Sequence, residues 1–273
     1  MTMLEMLFLE CPACGAPHTD FSFLSFHVSG GEQWSDGEQY AQSPMPSDAD
    51  KIGQCARCGE LFWKENCLRA PAHSLREALD SPGAFSPELR SLAHRVEQAE
   101  RAGTLIPRCE WQGRPDEHEA EWDELQILDW RGLLDGRIQN TPSQELLIRL
   151  NLWRAYNTLK GRPLGESPLR WVAHLASRPG HYLRHLVRRD RLWSKHRPDY
   201  LRNLDELDKL LATSDIDSID SLALRMQAAR ERGRFALARQ LLAQLAQQGC
   251  PESYLRPARR MIALRRRGCY LLR

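Results

Sequence analysis

Hydrophobic and polar residues alternate over short distances in the first seventy positions, which is the spacing of β-strands. The run FSFLSFHV, from Phe21 to Val28, has this alternation. The dipeptide Asp36-Gly37 stands between two aromatic residues and strongly favours a two-residue hairpin turn. The residues ELFW at 60–63 predict a further short strand. The pattern therefore predicts a small β-rich segment at the N-terminal end of the chain.

From His73 onward the hydrophobic residues recur every three or four positions, which predicts amphipathic helices. Ser86 precedes a proline and an apolar stripe, as an N-cap residue does. Thr141 and Gln144 have the spacing of a capping box at the start of another helix. Start signals of this kind repeat along the chain, so the larger part of the protein is predicted to be all-α.

One helical pair has the composition of a tetratricopeptide unit. Gly233, Phe235 and Ala238 fall at a predicted bend between two helices, where small residues allow close contact and the aromatic residue packs into the next repeat. A 34-residue period is not traceable along the rest of the chain, so an irregular all-α bundle stays an alternative. The predicted fold class is α+β by segregated domains. Residues 1–70 form a zinc-ribbon-like module, and residues 71–273 form a larger all-α, tetratricopeptide-like domain.

Four of the eight cysteines occur in two copies of Cys-x-x-Cys-Gly. Cys11 and Cys14 form the first pair, and Cys55 and Cys58 form the second. Each motif places two sulfurs on one tight turn, and two such turns complete the tetrahedral thiolate set of a zinc ion. The spacing predicts a structural Zn²⁺ site, because four cysteines leave no ligand position for a reactive water.

Other thiol and imidazole groups lie near these motifs in the sequence. Cys67, His18 and His27 are alternative ligands, but none of them belongs to a matched pair. A redox role needs only one Cys-x-x-Cys motif, usually beside a βαβ pattern, and two matched copies in a strand-rich segment do not fit it. Cys67 is interpreted as a buried or incidental thiol.

The order of these motifs resembles a group of uncharacterised bacterial proteins that join an N-terminal zinc-ribbon-like module to tetratricopeptide-like helices. The resemblance rests on CPACG, on WSDG at 34–37, and on CARCG followed by LFW. It covers about the first 65 residues closely and the helical part only in architecture. It implies the metal site and the domain order, and it implies no reaction.

Charge is distributed unevenly along the chain, although the net charge is only +2. Residues 1–150 contain 13 basic and 25 acidic residues, and residues 151–273 contain 25 basic and 11 acidic residues. Two interpretations stay open: the arginine-rich half binds nucleic acid, or it packs against the acidic half. Trp193, Tyr200 and Tyr254 lie among the basic stretches and are candidate base-stacking residues.

No motif of an enzyme is complete in this sequence. Phosphate-cradling glycine loops, a nucleophile elbow and paired catalytic carboxylates are missing. His181 and His185 have the i, i+4 spacing of a helical metal pair, but no carboxylate on the same helix face completes a site. The sequence has no convincing signal peptide and no apolar run of membrane-spanning length. We therefore expect a cytoplasmic, non-enzymatic adaptor that binds a protein or peptide, with nucleic-acid binding as the alternative and no small-molecule substrate.

Overall fold

A computed structural model describes residues 3–25, 31–34, 39–41, 51–81, 83–106, 119–135, 140–160, 179–213, 219–268 and 271–272. The chain packs as two compact units. The first, here called the N-terminal unit, contains Met1–Gly30 and Ala41–Gly113. The second, here called the helical unit, contains Gly31–Tyr40 and Arg114–Arg273. The boundary predicted at residue 70 separates two parts that are expected to fold independently. Contacts within the folded chain do not test independent folding, so this boundary stays a prediction.

Eight short strands and eight helices make up the described part of the chain. The strands are β1 (Met3–Glu10), β2 (Pro17–Ser25), β3 (Gly31–Trp34), β4 (Gln39–Ala41), β5 (Ile52–Gln54), β6 (Leu61–Trp63), β7 (Arg69–Pro71) and β8 (Leu271–Leu272). The helices are α1 (Ala72–Asp80), α2 (Pro87–Arg101), α3 (Glu119–Asp135), α4 (Pro142–Lys160), α5 (Pro179–Thr213), α6 (Ile219–Arg232), α7 (Phe235–Gln247) and α8 (Glu252–Ala263). The predicted order, a small β region followed by a larger helical region, is confirmed.

Strand β1 is the centre of the N-terminal unit because it carries apolar residues on both of its faces. It pairs antiparallel with β2 on one side and with β7 on the other. Successive side chains of a strand point to opposite faces, so Phe8 and Leu9 enter different clusters. Phe8 packs with buried residues of α1 and α2, and Leu9 packs with Cys11 and Cys55. The sheet therefore supports the helices on one face and the cysteine motifs on the other.

Two predicted helix starts are confirmed by their capping bonds. At α2, the backbone N–H of Leu89 donates to the hydroxyl of Ser86 at 3.3 Å. At α4, the N–H of Thr141 donates to Oε1 of Gln144 at 2.9 Å, and the N–H of Gln144 donates to Oγ1 of Thr141 at 3.3 Å. Because both bonds of this capping box connect residues three apart, they could be predicted from local sequence alone.

Eight of the nineteen residues of α4 are buried, and they are not confined to one stripe of the helix. Its buried residues are Gln144, Ile148, Leu152, Trp153, Ala155, Tyr156, Asn157 and Leu159. Farther along the chain, α6 packs on α7, and α8 packs on α7. Ala238 is fully buried near the bend at Gly233, whose φ is +89°. These features agree with a helical pair, and the tetratricopeptide-like assignment stays a prediction.

Strand β3 belongs to the helical unit, although the sequence analysis placed it in the zinc-ribbon-like segment. It pairs with β8, so that Gln33 lies opposite Leu272 and Trp34 opposite Leu271. Strand β4 lies on the other side of β3. The predicted turn at Asp36-Gly37 lies outside the described residues. The pairing joins segments near the two ends of the chain, so no local pattern could reveal it.

Candidate metal centre

The two Cys-x-x-Cys-Gly motifs form the loops of two β-hairpins. The first cysteine turn, residues 11–16, connects β1 to β2, which pair at Glu10 and Pro17. The second cysteine turn, residues 55–60, connects β5 to β6, which pair at Gln54 and Leu61. Each motif therefore begins immediately after one strand and ends immediately before its antiparallel partner.

The backbones of the two turns make the same hydrogen bonds. In the first turn, the N–H of Cys11 donates to the carbonyl of Ala16 at 2.9 Å, and the N–H of Gly15 donates to the carbonyl of Cys11 at 2.9 Å. In the second turn, the corresponding bonds are Cys55 to Glu60 at 2.9 Å and Gly59 to Cys55 at 2.7 Å. The repeated sequence thus produces a repeated local structure.

Glycine is required in both turns because the backbone there is left-handed. The φ angles of Gly15 and Gly59 are +69° and +75°, a region that side chains with a Cβ enter only at a cost. At Gly15 an added Cβ would also lie 3.3 Å from Oε1 of Glu10, whereas at Gly59 it would meet nothing within 4 Å. The shared geometry of the two turns therefore accounts for a glycine after the second cysteine of each pair.

The four sulfurs of the two turns converge to one point. All of them lie within 4.8 Å of one another. The two closest approaches recorded join different turns: Cys11 to Cys58 at 3.7 Å and Cys14 to Cys55 at 3.6 Å. Four thiolates about 2.3 Å from a central ion form a tetrahedron with edges of about 3.8 Å. A disulfide would bring two sulfurs to about 2.05 Å. The four sulfurs are therefore spaced so that they could hold a metal ion, and all four cysteines are free thiols.

The four cysteines of the cluster differ in their exposure. Cys11 and Cys55, the first residue of each turn, are buried, whereas Cys14 and Cys58 lie nearer the surface. Burial raises the pKa of the Cys11 thiol well above its ordinary value, because a thiolate loses its hydration there. A bound cation offsets this loss, so metal binding and thiol deprotonation are coupled at this site.

An apolar floor supports the second cysteine turn. Phe62 of β6 is buried and packs with Leu9, Cys11 and Cys55. Its ring lies directly against the opposite strand, since a Cβ built on Gly53 would be 2.6 Å from Cζ of Phe62. Gly53 therefore provides the space in which the Phe62 ring supports the cysteines.

A buried ion pair connects the two hairpins. Nζ of Lys64, immediately after β6, lies 3.0 Å from Oδ1 and 2.8 Å from Oδ2 of Asp20 on β2. Both side chains are only 8% exposed. At the end of β1, Arg95 of α2 donates to the carboxylate of Glu10. These contacts hold the strands that carry the two cysteine turns, and charge patterning along the sequence did not reveal them.

The alternative ligands are not part of the four-sulfur cluster. His18 is fully buried beside Phe62, with ring centroids 6.3 Å apart, and burial lowers the pKa of its imidazole. The thiol of Cys67 donates to the carbonyl of Trp63 at 3.3 Å, and burial raises its pKa to about 11. A neutral, hydrogen-bonded thiol agrees with the interpretation of Cys67 as an incidental cysteine. His27 lies outside the described residues.

A second polar cluster is buried in the helical unit, and no pattern in the sequence predicted it. Arg230 and Glu231 are adjacent on α6, and both are almost completely buried. Nη2 of Arg230 lies 3.0 Å from Oε1 of Glu231. Oε2 of Glu231 accepts from the indole of Trp153 at 3.0 Å and from the hydroxyl of Tyr200 at 2.6 Å. The cluster joins α4, α5 and α6, and it includes Tyr200, one of the candidate base-stacking residues.

The candidate base-stacking aromatics pack against other residues of the helical unit, and Tyr200 is the one that is fully buried. Tyr200 is 1% exposed, and Trp193 contacts it edge-on with ring centroids 5.0 Å apart. The hydroxyl of Tyr254 accepts from Nε2 of Gln227 at 3.4 Å, and burial raises the pKa of this phenol to about 12. The buried ring of Tyr200 cannot stack on nucleic-acid bases, whereas Trp193 and Tyr254 are partly exposed.

The candidate histidines in the helical unit do not form a metal site within the described residues. The side chains of His181 and His185 lie outside the described part of the structure. His196 is buried, and its Nε2 lies 3.0 Å from Oε1 of Glu124. Lys195 donates to the same carboxylate oxygen at 2.7 Å. Glu124 therefore serves an ion-pair cluster between α3 and α5.

Comparison with protein-family models, with curated proteins and with solved structures finds no match. None of the helices in the described part of the chain has both the length and the apolar composition needed to span a membrane. The functional inference therefore rests on the geometry of the cysteine cluster and its surroundings.

Proposed function

We propose that this chain is a non-enzymatic interaction protein whose N-terminal unit is organised by one structural Zn²⁺ ion. Cys11, Cys14, Cys55 and Cys58 are its four ligands. The observation that carries this proposal is the convergence of four sulfurs from two matched turns at the spacing of a tetrahedral site. A tetrahedral set of four thiolates favours zinc among the common divalent ions.

The ligand set favours a structural role over catalysis. Four protein thiolates fill the coordination sphere, so no position stays open for a water molecule or a substrate. The strands around the site are short: β5 and β6 share three residue pairs. A hairpin of this size is marginal by itself, so metal binding supplies much of its stability. Because thiolate ligands require reduced cysteines, we also propose a cytoplasmic location.

Two finer assignments belong to the same proposal. The first is a zinc ribbon, which is supported by two hairpins that each present a cysteine turn. The second is a tetratricopeptide-like helical array, which is supported by the packed pair α6–α7 with Gly233 at its bend and Ala238 in its core. Both agree with the resemblance to bacterial proteins that combine such modules.

The N-terminal unit also presents a surface suited to a polypeptide partner. Met6 and Phe21 lie opposite each other on β1 and β2, and they are 45% and 37% exposed. Met6 forms part of a cleft of about 520 Å³ between β1 and α1. The cleft is lined by Glu5, Met6, Ala72, His73, Arg76 and Glu77. An apolar residue surrounded by charges of both signs fits a peptide with an apolar anchor and polar flanks.

Crosslinking tests the interaction surface separately from the metal. A photo-reactive amino acid replaces Met6 in the full chain, and the matched control carries it at Ser91, an exposed position on α2. We expect a discrete protein adduct from position 6 that is missing from position 91 and is lost when Cys55→Ser is added. Identical adducts at both positions, or none at position 6, would contradict the proposed surface. Metal analysis of the same samples should find one zinc per chain, and its absence would contradict the structural site.

A further inference from the structure

The C-terminal end of the helical unit has a dense cluster of exposed arginines. Helix α8 has an apolar side, formed by Leu255, Ala258 and Ile262, which is buried against α7. Six exposed arginines lie on α8 and the residues that follow it: Arg256, Arg259, Arg260, Arg265, Arg266 and Arg267. Glu252 is the only acidic residue in the sequence from 249 to 268, and it pairs with Arg259. We call these six residues the arginine face.

The backbone beneath the arginine face is held by buried or partly buried cations. Nη1 of Arg230 donates to the carbonyl of Arg266 at 2.6 Å and to that of Gly268 at 2.8 Å. Nζ of Lys160 donates to the carbonyl of Arg267 at 2.9 Å. Three consecutive carbonyls are thereby fixed to α4 and α6. Side chains on such a fixed segment lose less conformational freedom when they bind a ligand.

Four of the helix ends that the structure describes have the same hydrogen-bonded motif, and one of these four lacks glycine. In α8, the N–H of Arg265 donates to the carbonyl of Ile262 and the N–H of Arg266 to that of Met261. The ends of α2, α6 and α7 make the same pair of bonds. Their left-handed residues are Gly103, Gly233 and Gly249, whereas α8 has Arg265 with a φ of +51°. Glycine adopts this conformation freely, and arginine does not.

The fold alone does not explain an arginine at position 265. The other three ends show that glycine serves this motif in the same chain, so the arginine side chain contributes something other than helix termination. Attraction to the helix dipole explains cations in the last turn of a helix. It does not explain Arg256, which lies in the first half of α8, where the dipole does not favour a cation.

We propose that the arginine face binds the phosphate backbone of duplex nucleic acid. Guanidinium groups bind phosphates through paired N–H donors, and a run of exposed arginines with one acidic neighbour matches a polyanion. A protein partner would need an apolar centre, but Leu264, which is 54% exposed, is the one large apolar side chain exposed on this segment. The sequence from 255 to 268 contains no aromatic residue on which an unstacked base could lie, so backbone contacts with a duplex are favoured. The face lies in the helical unit and is independent of the zinc site.

Salt-dependent anisotropy of a labelled 20-base-pair DNA duplex tests this proposal on the full chain. Five arginines without an acidic partner predict a slope of log K against log salt of up to about −4.5. The variant Arg256→Gln/Arg260→Gln/Arg266→Gln should weaken binding at least tenfold at about 50 mM salt and reduce the slope by about 3. The matched control, Arg57→Gln/Arg69→Gln/Arg101→Gln, removes the same charge from exposed positions of the N-terminal unit and should bind like wild type.

A single substitution separates binding from folding. Arg265→Gly introduces the residue that the other three helix ends have at this position, so the melting temperature should not fall. The slope of log K against log salt should decrease by about 1. Undetectable binding of wild type at about 50 mM salt, or equal losses in the two triple variants, would overturn the proposal. Equal binding of polyglutamate and DNA would also overturn it and would indicate an acidic protein partner. Cys55→Ser should leave the salt slope unchanged, so failure of the zinc proposal is distinguishable from failure of this one.

Discussion

Replacing one zinc ligand should weaken metal binding by a factor that the ligand count predicts. Structural zinc sites in small domains bind with about 10–16 kcal/mol at neutral pH. Four sulfurs lie at comparable distances within one cluster, so an equal division assigns about 2.5–4 kcal/mol to each thiolate. At 1.4 kcal/mol per tenfold change, Cys55→Ser should bind zinc about 100- to 1,000-fold more weakly than wild type.

Competition with a chelating dye of known affinity measures this difference. The matched control is Cys67→Ser, which changes a nearby thiol that bonds to the carbonyl of Trp63 and lies outside the four-sulfur cluster. The control should bind one zinc with wild-type affinity. A loss of less than threefold in Cys55→Ser, or an equal loss in both variants, would refute the assignment of Cys55 as a ligand.

Three further predictions concern packing and electrostatics, and urea unfolding measures each of them. Gly53→Ala places a Cβ 2.6 Å from Cζ of Phe62 and should destabilise the N-terminal unit by about 1–3 kcal/mol, whereas Gly83→Ala, in open space, should not. Glu231→Gln leaves buried Arg230 without a counter-charge and should lower the free energy of unfolding by about 3–5 kcal/mol. Its control, Glu206→Gln, breaks the exposed pair with Lys209 and should lower it by less than about 1 kcal/mol. The pKa of Glu124 is lowered by its hydrogen bond from Lys195 and by His196. The charged form of Glu124 therefore stabilises the folded state at pH values above its ordinary pKa of 4.5. The difference in free energy of unfolding between wild type and Glu124→Gln should shrink as the pH falls below 4.5. If the stability difference between wild type and Glu124→Gln stayed constant from pH 7 to pH 3, the role of the Glu124 carboxylate would be wrong. An unchanged free energy of unfolding in Gly53→Ala or Glu231→Gln would likewise contradict the contact proposed for that residue.

The reach of sequence reasoning differs between the two units. In the N-terminal unit the cysteine motifs predicted two tight turns, because the hydrogen bonds of each turn join residues four or five positions apart. The same reasoning missed the Asp20–Lys64 pair, which joins the two hairpins, and the contact of Phe62 with Gly53 across the β5–β6 hairpin. In the helical unit the capping box of Thr141 and Gln144 was predictable from the sequence. The burial of the charged residues Arg230 and Glu231 was not.

The sequence by itself determined the conformation of the two cysteine turns, the helix starts at Ser86 and Thr141, and the division into strand-rich and helical parts. These features arise from bonds between residues three to five positions apart, so the local residue types suffice. Only the tertiary structure decided which turns approach each other and which charged side chains are buried. It also paired β3 with β8, near the opposite end of the chain. Such contacts depend on the three-dimensional packing of elements distant in sequence, and a linear pattern of residue types does not contain that information.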